Sequence, residues 1–290
     1  MSKRPPPRPK AQPPVRRPIH PPPSVPAGSA TSKGARTKAP PRPPDVSPFA
    51  AVAAVTGYAL RACLPPRRRL GLLLPALGAL LFGLLAHVIE GETAEDAFAA
   101  VASAGIFSIV VPIGCLVIGD AVLGGEARSG TLHFTWLSPI PRWTIVVGRW
   151  VAGTLAAAIV LGIACGLAAA VAGVPEHAPA MALAVAIGSA AYVAVFIALG
   201  AVTRRAVVWS LAFVVLIERL LGAALDGIAQ LSPGWLARAA YGGLTEATDL
   251  IRTGVPSGGA AIARLLVVTA IALAVASWRL GTLHLAGRSE

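Results

Sequence analysis

The residues whose types and spacing best suggest a function lie in one stretch, from Glu126 to Arg149. Gly130 permits a sharp change of direction, and Thr131 suits the N-cap of a helix. Residues 132–138 make about two helical turns, and Pro139 ends them. Because this stretch joins two strongly apolar runs, the pattern predicts a short amphipathic helix that protrudes between two membrane spans. Such a helix could dock a soluble partner.

Side chains suited to a membrane interface surround this short helix. Trp136, Trp143 and Trp150 are amphipathic aromatics of the kind found at the lipid headgroup level, and Arg142 and Arg149 could reach phosphates or carboxylates there.

The chain carries no motif for intrinsic chemistry. It has no G-x-x-x-x-G-K-[ST], H-E-x-x-H or G-x-S-x-G sequence, so we expect no ATPase, zinc protease or serine hydrolase activity, no catalytic residue and no cofactor. The three cysteines are too few and too widely spaced for a disulfide framework or a metal site.

Three charged residues within the apolar runs could line a polar pathway. Asp120 is a candidate ion or proton site, or else a boundary or salt-bridged residue. Glu218 and Arg219 interrupt the fifth run. They line a pathway or substrate cavity, unless the run simply ends there and further short helices begin.

The composition identifies an integral membrane protein of the all-α class. Of the 290 residues 55% are hydrophobic and 13% are charged, and the mean hydropathy is +0.70. An ordinary soluble domain has about 25% charged residues. Runs of about 20 apolar residues are long enough to cross the bilayer as helices. Six spans are predicted, at about residues 70–88, 97–123, 151–174, 178–202, 206–225 and 260–280.

Two segments precede these spans. Residues 1–48 hold 16 of the 26 prolines and no aromatic residue, which predicts a disordered, basic, Pro-rich tail. Residues 49–69 predict an interfacial amphipathic helix that is stopped by prolines and followed by Arg67, Arg68 and Arg69. The transmembrane domain then covers residues 70–285.

The distribution of positive charge predicts the topology. With a cytoplasmic N-terminus, 21 of the 25 Lys and Arg residues fall on the cytoplasmic side, so both termini are predicted to be cytoplasmic. The charge lies mostly before the first span and therefore favours anionic membrane lipids rather than nucleic acid.

The segment from residue 126 to 149 resembles the permease subunits of type 2 ATP-binding-cassette exporters. Their pattern is an acidic residue, Gly-Thr-Leu, a short helix, Pro, Arg, and Gly followed by a basic residue. The matching residues here are Glu126, Gly130, Thr131, Leu132, Pro139, Arg142, Gly148 and Arg149.

The resemblance extends over about residues 49–285 and implies a six-span permease that lacks its own ATPase. A separate ATP-binding subunit and a second permease copy or paralogue would be its partners, and a bacterial cytoplasmic membrane its location. The implied coupling segment comprises the eight matching residues with Arg128 and Trp136. Glu126 and Arg142 are expected to orient the docking helix.

The resemblance also implies short outer helices between the fifth and sixth spans. Ser232 and Pro233 are expected to open one of them, and Gly242 and Gly243 to break it.

Two other functions stay open at the level of sequence. The chain could be a membrane-anchored scaffold that recruits partners through its Pro-rich tail. It could also be an ion- or proton-coupled carrier that uses Asp120 and Glu218.

Overall fold

The structure, a computed structural model, describes residues 47–63, 66–89, 93–124, 140–203, 205–247 and 251–282. Within these ranges the chain is almost entirely helical and contains no strand. Residues 1–46 of the predicted Pro-rich tail lie outside the described residues, as do residues 125–139. The predicted all-helical class is confirmed for the described part of the chain.

Among the described residues, six helices are long and apolar enough to cross a membrane, as predicted. A separate N-terminal helix, Pro48–Cys63, precedes them. Span one is Pro66–Val88, span two runs from Ala94 to Gly124, and span three from Arg142 to Val171. Span four is Ala178–Val202, span five is Ala206–Ala224, and span six is Gly258–Thr282. The short helix Asp226–Ala229 and a longer one, Pro233–Leu244, here called the loop helix, lie between spans five and six.

Two boundaries differ from the sequence prediction. Span three begins at Arg142 instead of residue 151, because Pro141 occupies the N-cap and nothing after it breaks a helix. Residues 66–69, which were assigned to the interfacial segment, form the first turn of span one. Pro66 can begin that helix because the first helical position needs no backbone N–H partner.

Small residues let the spans approach one another closely. A Cβ added to Gly83 of span one would lie 2.4 Å from the carbonyl oxygen of Ala168 in span three. A Cβ added to Gly188 of span four would lie 2.6 Å from the Cβ of Ala237 in the loop helix. Such contacts replace the hydrophobic effect as the source of helix association when the surroundings are lipid.

The bundle has two ends, which we name by the links they hold. At the near end, Arg142 at the start of span three lies beside Gly281 at the end of span six. At the far end, His177 before span four contacts Tyr241 of the loop helix. The near end therefore holds the link between spans two and three, and the far end holds the link between spans five and six.

Several spans contain wide π-helical segments. Two of them, Ala102–Val110 in span two and Phe213–Leu221 in span five, contribute walls to the same cavity. Such turns occur frequently at functional sites because they redirect side chains that a regular α-helix would place elsewhere.

Candidate functional site

The predicted coupling residues divide into two groups. Those that lie outside the described residues are Glu126, Arg128, Gly130, Thr131, Leu132, Trp136 and Pro139. Arg142, Gly148 and Arg149 are described, and all three belong to the first turns of span three. The structure thus shows the part of the predicted docking segment that continues into span three. We call residues 142–150 the near-end junction.

Arg142 joins the junction to span six. Its guanidinium Nη1 donates to the carbonyl oxygen of Gly281 at 2.5 Å and to that of Leu280 at 3.3 Å. The last carbonyls of a helix have no intrahelical partner and carry the negative end of the helix dipole. A cation placed there satisfies them and fixes the end of span six to the start of span three.

Gly148 joins the junction to the N-terminal helix. An added Cβ would lie 2.8 Å from the Cβ of Val55 and 3.0 Å from the carbonyl oxygen of Val52. The hydroxyl of Thr56 donates to the carbonyl oxygen of Gly148 at 3.1 Å. Only glycine at position 148 allows this approach. Gly148, which the sequence pattern assigned to the coupling segment, is therefore the point at which the N-terminal helix packs on span three.

The next two residues reach spans two and four. The buried Arg149 donates from Nη1 to the carbonyl oxygen of Val122, close to the end of span two, at 3.4 Å. Trp150 donates from Nε1 to the carbonyl oxygen of Ala190 in span four at 2.9 Å. The near-end junction therefore contacts the N-terminal helix and spans two, four and six.

A second polar cluster is centred on Glu218 of span five, where the loop helix begins. This carboxylate is buried. Its Oε2 accepts from the hydroxyl of Tyr192 in span four, and its Oε1 accepts from Ser232 Oγ at 2.5 Å and from the backbone N–H of Gly234 at 3.0 Å. The indole Nε1 of Trp235 donates to the Glu218 carbonyl oxygen at 3.2 Å. Glu218 thus fastens span five to span four and to the loop helix.

The sequence at the start of the loop helix explains why it meets this carboxylate. Ser232 is the N-cap, as predicted, and its Oγ accepts from the N–H of Trp235 at 3.5 Å while it donates to Glu218. The free N–H groups and positive dipole of a helix start favour an anion there. At Gly234 an added Cβ would lie 2.5 Å from the Tyr192 hydroxyl, so the close approach requires glycine.

The expected break at Gly242 and Gly243 is wrong, because the loop helix continues through both residues to Leu244. Gly243 serves another purpose. An added Cβ at this position would lie 2.2 Å from the backbone nitrogen of Gly258, which begins span six.

The three residues predicted to line a pathway do not come together. Glu218 and Arg219 line one small cavity at the start of the loop helix, with Tyr192, Ser232, Trp235 and Arg238 among its other walls. Asp120 lies in the last turns of span two, at the near end, and is engaged in an interaction there. The partners of Glu218 were missed because they are distant in sequence. The only signal was the Ser-Pro helix start.

One group of described residues has the composition of a metal site. Ligand atoms of Glu95, Glu176 and His177 lie within 4.8 Å of one another at the far end. The two glutamates are exposed, and His177 Nδ1 lies 3.0 Å from the hydroxyl of Tyr241. Exposed carboxylates of this kind are common without an ion, and the hydrogen bond to Tyr241 gives the imidazole a structural role.

A family model described as "ABC-2 family transporter protein" matches residues 70–282, which is well over half of the chain and reaches into all six spans. No significant match was found among curated proteins.

Proposed function

The chain belongs to the ABC-2 family of transporter proteins, and on that premise we propose that it is the permease subunit of an ATP-driven exporter. Membership makes it a multi-pass membrane component of an ABC transporter and implies a partner subunit that binds ATP. Permeases of this family are typically not ATPases themselves, in keeping with the motif analysis. The coupling route and the direction of transport are the proposed part.

The observation that carries the proposal is the set of contacts made by the near-end junction. Three consecutive residues, Gly148, Arg149 and Trp150, touch the N-terminal helix, span two and span four, and Arg142 holds span six. A subunit that pulls on residues 126–139 would therefore move most of the bundle rather than one helix. This is the mechanical requirement for coupling ATP hydrolysis to transport.

Coupling also requires a difference in binding free energy. The ATP-binding subunits must hold the docking segment more tightly in one conformation of the permease than in the other, or no movement is transmitted. A difference of about 1–3 kcal/mol is typical of coupled sites. Glu126 and Arg142 are the residues proposed to orient the segment for this contact.

The remaining features of the proposal follow from charge and family. The near end faces the cytoplasm, because most Lys and Arg residues lie before span one or in the near-end links. Both termini are then cytoplasmic, in a bacterial inner membrane. Two permease copies, or this chain and a paralogue, would form the pathway with two ATP-binding subunits and surrounding lipid.

The carrier alternative finds less support. It needs Asp120 and Glu218 along one path, but Asp120 is not among the residues that line the cavity at Glu218. The hydrogen bonds that Glu218 accepts from three groups also give it a structural role. No described contact favours the scaffold alternative.

The experiment that tests the proposal is purification of the tagged chain from its native host in mild detergent. We expect an ATP-binding subunit to copurify, and the stoichiometry by native mass spectrometry to be two permeases with two ATP-binding subunits. The combined variant Glu126→Ala with Arg142→Ala should lose it. Arg264→Ala, which removes an exposed far-end arginine, should retain it.

Two results would contradict the proposal. One is the absence of any ATP-binding subunit from the purified wild-type complex. The other is retention of that subunit by the double variant, which would place the docking contact elsewhere.

A further inference from the structure

The cavity beside Glu218 is small, and both π-helical segments contribute to its walls. It encloses about 30 Å³. Its walls come from spans two, four and five and from the loop helix, and Ser103, Glu218, Arg219, Trp235 and Arg238 are among the lining residues. A volume of this size admits roughly two or three water-sized groups. A larger ligand could therefore place only its head group inside.

Two arginines, Arg219 and Arg238, and one carboxylate, Glu218, line the cavity, so positive charge is in excess. Arg238 is half-buried and stacks on the Trp235 ring at 3.9 Å, and Arg252 approaches the same ring at 5.1 Å. Arg252 is paired with Asp226 at 2.8 Å. In the part of the chain that the structure describes, neither Arg238 nor Arg219 has a carboxylate within salt-bridge distance.

Glu218 offsets one of the two positive charges. Its oxygens already accept hydrogen bonds from Tyr192, Ser232 and Gly234, and it compensates the start of the loop helix. Burial, together with the positive charges of Arg219 and Arg252, lowers the pKa of Arg238 to about 10, so its guanidinium is still protonated at pH 7. An entering anion would relieve both the desolvation and the repulsion.

The surface beside the cavity is apolar. Arg219 is exposed on span five, and Leu216 and Leu220, which lie three residues before it and one after it, are 51% and 64% exposed. In a membrane-spanning helix such leucines face acyl chains. A ligand with an oxyanion head at the arginines would find a surface for its hydrocarbon chain within the same span.

We propose that the cavity formed around Arg219, Trp235 and Arg238 binds the phosphate head group of an amphiphile whose chains lie along span five. Guanidinium groups match phosphate because their N–H donors fit two of its oxygens at once. The half-buried position strengthens each of these bonds relative to the surface. The idea that the bound amphiphile is transported rests on the proposed function, whereas the binding of its phosphate group does not.

The test measures binding to the purified full-length chain in uncharged detergent, without any ATP-binding subunit. The probes are short-chain phosphatidic acid, the matching diacylglycerol, which lacks phosphate, and inorganic phosphate. The variants are Arg238→Gln and the exposed Arg219→Gln. Arg264→Gln is the control, since Arg264 bonds to Gln230 outside the cavity.

We expect phosphatidic acid to bind at least about tenfold more tightly than either diacylglycerol or inorganic phosphate. Each cavity variant should weaken it by about tenfold or more, as loss of a charged hydrogen-bond pair does, while Arg264→Gln should not. Equal binding of diacylglycerol would overturn the phosphate assignment, and equal binding of inorganic phosphate would overturn the amphiphile assignment. Unchanged affinity in both cavity variants would remove the site. Because no nucleotide is present, these results are independent of whether the ATP-coupling proposal holds.

Discussion

Replacing Gly148 by alanine should loosen the N-terminal helix from span three. The added methyl group would lie 2.8 Å from Val55, about 1 Å closer than an ordinary carbon contact, and 3.0 Å from the carbonyl oxygen of Val52. Overpacking of this kind costs about 1–3 kcal/mol. The shift would also strain the hydrogen bond from Thr56 to the Gly148 carbonyl oxygen.

The matched control is Gly57→Ala in the N-terminal helix itself, where an added Cβ has nothing within 4 Å. Alanine favours a helix over glycine by about 0.5–1 kcal/mol, so this control should hold the helix as well as the wild type or better. A third variant, Thr56→Val, keeps the shape of the side chain but removes its hydrogen bond to Gly148. It should cost about 1 kcal/mol.

Hydrogen exchange of the amides in residues 48–63 of the purified chain is the assay, because it reports local opening. Gly148→Ala should speed exchange by roughly 5- to 150-fold, which corresponds to about 1–3 kcal/mol. Thr56→Val should speed it by roughly fivefold, and Gly57→Ala should not speed it. An unchanged rate of hydrogen exchange in Gly148→Ala would refute the view that the N-terminal helix packs on span three at Gly148.

Three further predictions concern thermal unfolding of the purified chain in detergent. Glu218→Ala should lower the midpoint strongly, because three donors lose their acceptor at about 1–3 kcal/mol each, whereas exposed Glu176→Ala should change it little. Gly243→Ala should destabilise the packing of the loop helix on span six, but Gly259→Ala, with nothing within 4 Å of an added Cβ, should not. Trp150→Phe should lower the free energy of unfolding by about 1 kcal/mol, because span four loses one hydrogen bond from the indole. If Glu218→Ala, Gly243→Ala or Trp150→Phe unfolds at the same midpoint as the wild type, the contact that it removes does not stabilise the fold.

The six spans could be predicted from the sequence because hydropathy is a property of each segment alone. The start of span three could not. The stretch that includes Arg142 and Arg149 mixes charged and apolar residues, which is typical of an interfacial link. Its helix becomes favourable once each arginine finds a backbone carbonyl on another span, and those carbonyls are far away in sequence.

Of the polar cluster centred on Glu218, the sequence predicted the carboxylate but not its partners. A charge within an apolar run marked Glu218, but its partners lie 26 residues earlier, at Tyr192, and 14 residues later, at Ser232. No spacing rule connects positions so far apart. Gly243 was likewise interpreted as a helix breaker, because a glycine that makes room for another backbone has the same appearance in sequence as one that ends a helix.

The central claim is that the state of the ATP-binding subunits reaches the spans through the near-end junction. The most direct measurement uses spin labels at Tyr58 of the N-terminal helix and Trp278 of span six, both exposed, in a cysteine-free form of the purified complex. The account predicts a distance distribution that changes between ATP-bound and ADP-bound states and stops changing in Arg142→Ala. A complex that hydrolyses ATP with the same distribution in both states would contradict it.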